Sequence, residues 1–414
     1  MILTEIGQKA KKASKLLMNA STSLKNDALK LIADELVKNT NAILDANKKD
    51  VENAINNGTS KTMIDRLMLD AKRIESIAQG VMCVRDLPDP IGEVDNMVKR
   101  PNGLVIGKKR VPLGVIGIIY ESRPNVTVDT AVLCLKSSNA VILRGGSDAI
   151  NSNIAIANVM KNALEMAGFP EGTIEIIEDT SREVAKELMT MNEYVDVLIP
   201  RGGASLIKTV VQTATVPVIE TGLGNCHAYI DENFDEDMAI DIIINAKTSR
   251  PSVCNALENL LINKNINDGF YKKLEKALND KNVEIRCSDR ALEKFENAKK
   301  ATEDDFKYEF LDNIIAIEIV DNISDAIAHI DKYSTHHSEV IITKDYNNAT
   351  KFLNEVDSAA VYVNASTRFT DGFEFGFGAE IGISTQKMHA RGPMGLKELT
   401  SYKYIIYGDG QIRL

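Results

Sequence analysis

The sequence lacks any run of about 18–20 apolar residues, the length that a membrane-spanning helix requires. It also lacks an excess of positive charge: 49 Lys and Arg stand against 59 Asp and Glu, which leaves a formal net charge of −10. This balance argues against nucleic acid as the main partner, although a local basic pocket could still bind a small anion. With 414 residues, no repeat and no low-complexity segment, the chain is expected to form two soluble domains.

Cysteine and histidine are scarce, with five of each. The scattered, odd-numbered cysteines suit reduced thiols better than a disulfide framework. The adjacent pairs Cys226-His227 and His336-His337 rarely converge on one point, and no second cluster supplies further ligands, so we predict no metal. Residues 1–15 are rich in lysine without an apolar core, so we expect no signal peptide and a cytoplasmic location.

Alternating strands and helices follow a helical block at residues 4–84. This pattern predicts the α/β class, with two doubly wound domains that bind ligands at the carboxyl ends of parallel strands. In the first domain we predict strands at 114–120, 140–143, 173–177, 195–199 and 216–219, and a helix at 126–136. In the second we predict strands at 260–262, 314–319, 340–342 and 360–363.

A hairpin interrupts this alternation at residues 94–109, around the turn Pro101-Asn102-Gly103. The tail alternates like a strand over residues 401–407 and could pair with the hairpin. A projecting hairpin must cover its edges. We therefore expect residues 95–108 and 396–414 to form the oligomerisation unit of a homo-oligomer, a dimer or a dimer of dimers.

Cys254 has the most suggestive setting for catalysis. It lies in Arg250-Pro251-Ser252-Val253-Cys254-Asn255-Ala256, which we interpret as leading into a short apolar helix. Backbone N–H groups and the dipole at a helix start favour a thiolate, and Lys247 and Arg250 add positive charge nearby. A thiolate can attack an acyl or carbonyl carbon. The alternative is a buried structural cysteine.

Two strand ends suit phosphate groups. Arg201-Gly202-Gly203-Ala204-Ser205 follows one predicted strand and opens a helix, where glycines let the backbone approach an anion. Arg144-Gly145-Gly146-Ser147 follows another and offers a guanidinium and a hydroxyl to a ribose or its 2′-phosphate. Neither is a G-x-G-x-x-G fingerprint, so a conventional dinucleotide motif is absent. Each glycine pair could instead form an ordinary tight turn.

Three polar residues near strand ends are further candidates. Asn125 could donate its amide to a developing oxyanion, and Arg123 beside it could hold a phosphate or a carboxylate. The alternative for Asn125 is a cap on the following helix. Glu220 could act as a general base.

The order Asn125, Gly202-Gly203, Glu220, Cys254 resembles the aldehyde dehydrogenase superfamily. More closely, and over essentially its whole length, the chain resembles the gamma-glutamyl phosphate reductase family. The motifs that carry this resemblance are Val111-Pro112-Leu113-Gly114-Val115-Ile116-Gly117, Tyr120-Glu121-Ser122-Arg123-Pro124-Asn125-Val126-Thr127, Ile199-Pro200-Arg201-Gly202-Gly203-Ala204-Ser205-Leu206-Ile207, Arg250-Pro251-Ser252-Val253-Cys254-Asn255-Ala256 and Thr385-Gln386-Lys387-Met388-His389-Ala390-Arg391-Gly392-Pro393-Met394-Gly395-Leu396.

The resemblance implies a role for each candidate residue. Cys254 would be the nucleophile and Asn125 the oxyanion donor. The residues along NADPH would be Arg144, Gly145, Ser147, Gly202 and Gly203, with Glu309 at the nicotinamide ribose. The residues that could hold the substrate's phosphate or α-carboxylate are Arg123, Lys387 and Arg391. Thr221-Gly222 replaces the usual glycine pair of the superfamily, which argues against a hydrolytic base at Glu220.

The implied activity is NADPH-dependent reduction of L-glutamyl 5-phosphate to L-glutamate 5-semialdehyde and phosphate through a cysteine thioester, the second step of proline biosynthesis from glutamate. The implied layout places an NADPH-binding domain at 1–94 and 109–222 and a catalytic domain at 223–395. Glutamate 5-kinase is a candidate partner. Two rival hypotheses are a hydrolytic or CoA-acylating aldehyde dehydrogenase, and a catalytically silent nucleotide-binding or scaffold protein that needs no reactive thiol.

Overall fold

The chain divides into two compact units. The computed structural model describes residues 2–121 and 123–413, so Ser122 of the motif at residues 120–127 lies outside the described part, as do Met1 and Leu414. The first unit comprises residues 1–221, 376–382 and 394–414, and the second comprises residues 222–375 and 383–393.

Helices and strands alternate along most of the chain. The strands are β1 Val94–Lys99, β2 Val105–Pro112, β3 Val115–Tyr120, β4 Ala140–Gly145, β5 Ile174–Ile176, β6 Val197–Arg201, β7 Cys226–Ile230, β8 Leu257–Asn263, β9 Glu284–Cys287, β10 Lys299–Lys300, β11 Ile314–Val320, β12 Ser338–Ile342, β13 Ala360–Val363, β14 Ile383–Ser384, β15 Gly392–Pro393 and β16 Thr400–Tyr407. The helices are α1 Ile2–Leu17, α2 Thr22–Lys38, α3 Thr40–Asn56, α4 Lys61–Leu67, α5 Ala71–Asp86, α6 Pro124–Lys136, α7 Ile150–Met166, α8 Arg182–Met189, α9 Ala204–Thr213, α10 Glu236–Thr248, α11 Asp268–Asp280, α12 Asp289–Leu292, α13 Ile323–Tyr333 and α14 Tyr346–Glu355. None of the described helices is long and apolar enough to cross a membrane.

The first unit is built on a parallel sheet with the strand order β5-β4-β3-β6. Every residue of β3 is buried, because helices cover both faces of the sheet and both must be apolar. A second, antiparallel sheet joins β1 to β2 and β2 to β16. The predicted hairpin and its pairing with the tail are therefore confirmed.

The second unit is built on a parallel sheet with the order β10-β9-β11-β8-β7-β12-β13. Side chains of β7 alternate between two hydrophobic cores. Ala228 and Ile230 pack with the core that includes Ile243 of α10, whereas Tyr229 packs with the core that includes Phe352 of α14. Helices thus cover both faces of this sheet. The predicted α/β fold with two doubly wound sheets is confirmed.

One predicted strand is wrong. Residues 216–219 form no strand, and only Val218 makes an isolated bridge to Leu198. Pro217 lies within this segment and has no N–H to contribute to a ladder. Its carbonyl accepts the Leu198 N–H at 2.8 Å, so the segment runs beside β6 without extending the sheet.

The candidate residues lie at different edges of the two parallel sheets. In the first unit, Asn125 and Gly202 follow β3 and β6, and Arg144 lies near the end of β4, so all three are at the carboxyl ends where ligands were expected. In the second unit, Cys254 instead precedes β8. The loops before parallel neighbours meet at one edge, so the segments leading into β7, β8 and β12 converge around this cysteine.

Candidate active site

The Cys254 loop connects α10 to β8 and leaves the cysteine half-buried. The helix predicted to begin at Cys254 is wrong, because residues 257–263 form a fully buried strand at the centre of the sheet. The strand predicted at 260–262 is confirmed by this element. Cys254 occupies a turn, in which the Ala256 N–H donates to the Val253 carbonyl at 3.0 Å. No helix dipole therefore acts on the thiol from this side.

Gly224 lies against the backbone of Cys254. A Cβ at position 224 would stand 1.3 Å from the Cys254 carbonyl oxygen, so only glycine fits. The Cys226 thiol donates to the same carbonyl oxygen at 3.2 Å. The Gly224 N–H donates to the Glu309 carboxylate at 2.8 Å, and burial raises the pKa of Glu309. The segment leading into β7 therefore fixes the backbone of Cys254. The same segment binds the Glu309 carboxylate through the Gly224 N–H.

The sequence led us to expect that Lys247 adds positive charge near the thiol, but its charge is directed to another partner. Its ammonium lies 2.7 Å from the Glu258 carboxylate, and both side chains are completely buried. Burial lowers the pKa of Lys247 and raises that of Glu258, while their mutual attraction opposes both shifts. This pair joins α10 to β8 beneath the loop, so we assign it a structural role.

Arg368 is the residue near the cysteine that sequence reasoning missed. It belongs to a short 3₁₀ turn after β13, and its Nε donates to Ser249 Oγ at 3.0 Å. Its Nη1 donates to Asn255 Oδ1, on the residue that follows Cys254. The guanidinium thus spans the loop on both sides of the cysteine. Only its position just after a predicted strand could have drawn attention to it.

Lys387 and Arg391 share one carboxylate. Arg391 Nη1 donates to Asp357 Oδ1 at 2.8 Å, and Lys387 forms an ion pair with the other oxygen. The hydrogen bonds from these two cations, Lys387 first, lower the pKa of Asp357 to about 2. The structure brings the two residues together, and their predicted contact with a substrate anion stays a prediction.

Cys226 and His227 face opposite sides of β7, as adjacent strand residues do. The Cys226 sulfur contacts the Cys254 carbonyl, whereas His227 Nδ1 lies 2.9 Å from the Asn225 carbonyl. His337 is also buried, and burial lowers its pKa to about 4. Among the described residues, no group of three or more His, Cys, Asp or Glu side chains is arranged to hold a metal ion.

Asn125 lies in the first turn of α6, one residue after Pro124. The capping alternative is wrong, because Arg123 occupies the cap position and makes no side-chain capping bond. Asn125 Nδ2 instead donates to the Asp129 carboxylate at 2.8 Å. Burial raises the pKa of Asp129 to about 6, and the Asn125 hydrogen bond and the charge of Arg201 oppose this rise. The amide is therefore oriented by a carboxylate one helical turn away.

The Gly202-Gly203 turn already binds an anionic group of this chain. Gly203 is the cap residue of α9, and its N–H donates to the Glu121 carboxylate at 2.9 Å. A Cβ at Gly202 would stand 2.4 Å from the same carboxylate oxygen. The predicted anion-accepting character of this helix start is thus visible in its contact with Glu121.

Arg144 and Gly145 end β4, and Ser147 follows in the next turn. Arg144 Nη2 donates to the carbonyls of residues 180 and 181, the second at 3.0 Å, and Nε is buried without a partner among the described residues. A Cβ at Gly145 would stand 2.2 Å from Asn153 Nδ2, which assigns a packing role to this glycine. Ser147 begins a 3₁₀ turn before α7 and lines a cleft with residues of α3 and α4.

Several known proteins are similar to this chain over most of its length. A model of the aldehyde dehydrogenase family matches residues 4–290. The gamma-glutamyl phosphate reductase of Clostridium botulinum is 62% identical over 407 residues, which cover 98% of each chain. That of Caldicellulosiruptor bescii is 61% identical over 415 residues and 99% of each chain. The crystal structure of gamma-glutamyl phosphate reductase from Thermotoga maritima is 50% identical, covers 100% of both chains and gives a TM-score of 0.97.

The chain therefore belongs to the aldehyde dehydrogenase family, and the protein is an enzyme of the oxidoreductase class. Within that family it belongs to the gamma-glutamyl phosphate reductases, as the sequence motifs predicted.

The carboxyl of Asp129 should make stability depend on pH. Its pKa is raised from 3.8 to about 6, so its contribution is fully present below pH 4 and is lost as the pH rises through about 6. We expect wild-type protein to lose on the order of 1–3 kcal/mol of unfolding free energy relative to Asp129→Asn between pH 4.5 and 7. Urea unfolding of both proteins at these pH values measures the difference. A difference that is constant or grows in favour of the wild type would contradict the assignment.

Proposed function

We propose that the protein reduces L-glutamyl 5-phosphate to L-glutamate 5-semialdehyde and phosphate with NADPH, the second step of proline biosynthesis from glutamate. The observation that carries this proposal is the match over 98% of the chain, at 62% identity, to a gamma-glutamyl phosphate reductase. The half-buried Cys254, held by its backbone in a turn, is the residue on which the proposed chemistry depends.

Cys254 is proposed to act as a thiolate. Its sulfur attacks C5 of the acyl phosphate and forms the S–C bond. The bond between C5 and the bridging oxygen breaks, and phosphate leaves with the electron pair. Asn125 is proposed to donate one N–H to the oxygen that becomes negative at C5, a contribution of roughly 10²–10³ in rate. After reduction of the thioester carbon, the C–S bond breaks and releases the aldehyde together with the regenerated thiolate.

No residue needs to activate water in this sequence. Water attack on the thioester would return glutamate and waste the phosphorylated substrate. Glu220 is therefore not assigned a hydrolytic role, and Thr221-Gly222 behind it differs from the usual glycine pair of the superfamily.

The residues of the first unit fit a nicotinamide dinucleotide. The Gly203 N–H donates to the Glu121 carboxylate in a position suited to a phosphate oxygen, and the buried Arg144 Nε has no partner among the described residues. NADPH, when bound, supplies a hydride to the thioester carbon. We assign its binding to Arg144, Gly145, Ser147, Gly202 and Gly203, with Glu309 at the nicotinamide ribose.

Substrate anions require cations. Arg123, Lys387 and Arg391 are proposed to hold the phosphate or the α-carboxylate of glutamyl phosphate. For Lys387 and Arg391 this contact competes with Asp357, whose carboxylate they already share.

The three-stranded antiparallel sheet is proposed to mediate assembly into a homo-oligomer. Large apolar side chains are exposed on β1 and β16, including Met97 (46% exposed), Tyr404 (59%) and Ile406 (59%). Exposed apolar patches of this kind mark interaction surfaces, and the outer strands carry unpaired backbone groups. We further propose a cytoplasmic location and glutamate 5-kinase as the source of the labile acyl phosphate.

The proposed reaction predicts an absolute requirement for phosphate in the reverse direction. Purified protein supplied with glutamate semialdehyde and NADP⁺ should form NADPH steadily only when inorganic phosphate is added, because phosphate must cleave the thioester. Cys254→Ala should abolish this activity, whereas Cys83→Ala, which changes an exposed cysteine, should retain it.

Other outcomes of this assay favour the rival hypotheses. Steady NADPH formation without phosphate would favour a hydrolytic aldehyde dehydrogenase, and a requirement for CoA would favour an acylating one. A protein with no activity, in which iodoacetamide modifies Cys254 no faster than the other cysteines, would be the silent nucleotide-binding protein.

The role of Arg144 predicts preference for NADPH over NADH. A charge-assisted contact between this guanidinium and the 2′-phosphate supplies on the order of 1.5–3 kcal/mol. Arg144→Ala should therefore weaken NADPH binding by roughly 10–100-fold and leave NADH binding nearly unchanged. Arg182→Ala, at an exposed arginine nearby, is the matched control. Equal weakening of both cofactors by Arg144→Ala, measured by fluorescence titration, would contradict the assignment.

A further inference from the structure

Arg368 lies in a network that ties the loop of Cys254 to the turn after β13. Asn255 Nδ2 donates to the carbonyls of Arg368 at 3.3 Å and Thr370 at 3.0 Å. Thr367 Oγ1 donates to the Asn255 carbonyl at 2.7 Å. With the two bonds from the guanidinium to Ser249 and Asn255, five hydrogen bonds join residues 367–370 to the Cys254 loop, and three of them involve Arg368.

The guanidinium of Arg368 keeps donors for a further acceptor. An arginine has five N–H donors, and the bonds from Nε and Nη1 to neutral oxygens use two of them. No described carboxylate forms an ion pair with it. Partial burial lowers its pKa, Arg250 lowers it further, and Cys254 is the strongest of the neighbouring groups that oppose this. A partly desolvated cation beside a like charge favours an anionic ligand.

Three other cations of this unit differ in this respect. Lys387 and Arg391 share the single carboxylate of Asp357, and Lys247 is paired with Glu258. Arg368 instead uses neutral partners that orient it without cancelling its charge. It therefore carries a positive charge that no ion pair among the described residues compensates, next to the residue proposed to react.

We propose that Arg368 binds the phosphoryl group of the substrate and holds it as the leaving group, an inference that rests on the proposed function. The guanidinium donates hydrogen bonds to phosphate oxygens while the bond from C5 to the bridging oxygen breaks. The electron pair stays on phosphate, and no proton leaves the arginine. In the reverse direction the same contacts bind inorganic phosphate for attack on the thioester.

The position of Arg368 favours the phosphoryl group over the α-carboxylate. Its two side-chain contacts, Ser249 and Asn255, flank the cysteine in sequence, and Asn255 is directly bonded to it. The phosphoryl oxygens of the substrate are attached through one bridging oxygen to the carbon that Cys254 attacks. The α-carboxylate lies at the other end of the glutamyl chain. An arginine beside the thiol is therefore closer to the phosphoryl group than to the α-carboxylate.

The test is steady-state kinetics of Arg368→Gln and Arg368→Lys in the reverse direction, with glutamate semialdehyde, NADP⁺ and inorganic phosphate. We expect the KM for phosphate to rise about 10–100-fold in Arg368→Gln, with a smaller rise in Arg368→Lys, which keeps the charge but not the paired donors. The KM values for semialdehyde and NADP⁺ should change little. Arg290→Gln, at an exposed arginine of the same unit that pairs with Asp321, is the matched control.

A binding measurement supports the kinetics if a variant turns over too slowly. Inorganic phosphate alone should slow the alkylation of Cys254 by iodoacetamide in the wild type and in Arg290→Gln, and should not do so in Arg368→Gln. Circular dichroism and the melting temperature establish that each variant is folded.

Three outcomes would overturn the proposal. A rise in the KM for semialdehyde with an unchanged KM for phosphate would place the α-carboxylate at Arg368. A lower kcat with unchanged KM values and retained protection by phosphate would leave the arginine a structural brace of the loop. Loss of stability with normal phosphate affinity would do the same. Wild-type protein that shows no phosphate-dependent activity would contradict the proposed function itself, and is thereby distinguishable from a failure at Arg368.

Discussion

The Cys254 carbonyl and the Gly224 backbone approach each other so closely that no side chain fits between them. This contact follows from the parallel pairing of β7 with β8, which brings the segments before the two strands to one sheet edge. The arrangement of the Cys254 loop depends on this contact. The Cys226 thiol donates to the same carbonyl, and Gly224 also binds Glu309, so the cysteine backbone and a proposed cofactor residue share one support.

Cations of the second unit differ in how far carboxylates compensate their charge. The buried pair of Lys247 and Glu258 joins α10 to β8, and Lys387 and Arg391 share the single carboxylate of Asp357. Arg368 is bound by neutral oxygens instead. In an acidic protein this arrangement leaves positive charge where an anionic substrate would react, which reconciles the net charge of −10 with a phosphorylated ligand.

The sequence predicted the fold well because strand length, burial and alternation are local properties, and the parallel sheets and the hairpin with its tail were found as expected. It failed where tertiary context decides. The apolar residues after Cys254 have no periodicity that separates a buried strand from a helix, so a helix start at Cys254 and a strand at 260–262 were both predicted. Only the strand, β8, is present. Arg368 is separated from Asn255 by 113 residues, so no local pattern could reveal their contact. Lys247 is close to Cys254 in sequence, but its charge is paired with the buried carboxylate of Glu258, a contact that no local pattern reveals.

The central claim is that Cys254 carries the glutamyl group as a thioester, and a single-turnover experiment tests it most directly. Enzyme mixed rapidly with NADP⁺ and glutamate semialdehyde in the absence of phosphate should release one NADPH per active site and then stop. Acid quenching followed by peptide mass spectrometry should find one glutamyl group on Cys254, and the adduct should disappear when phosphate is added. A burst without an adduct on Cys254, or an adduct on another residue, would contradict the account.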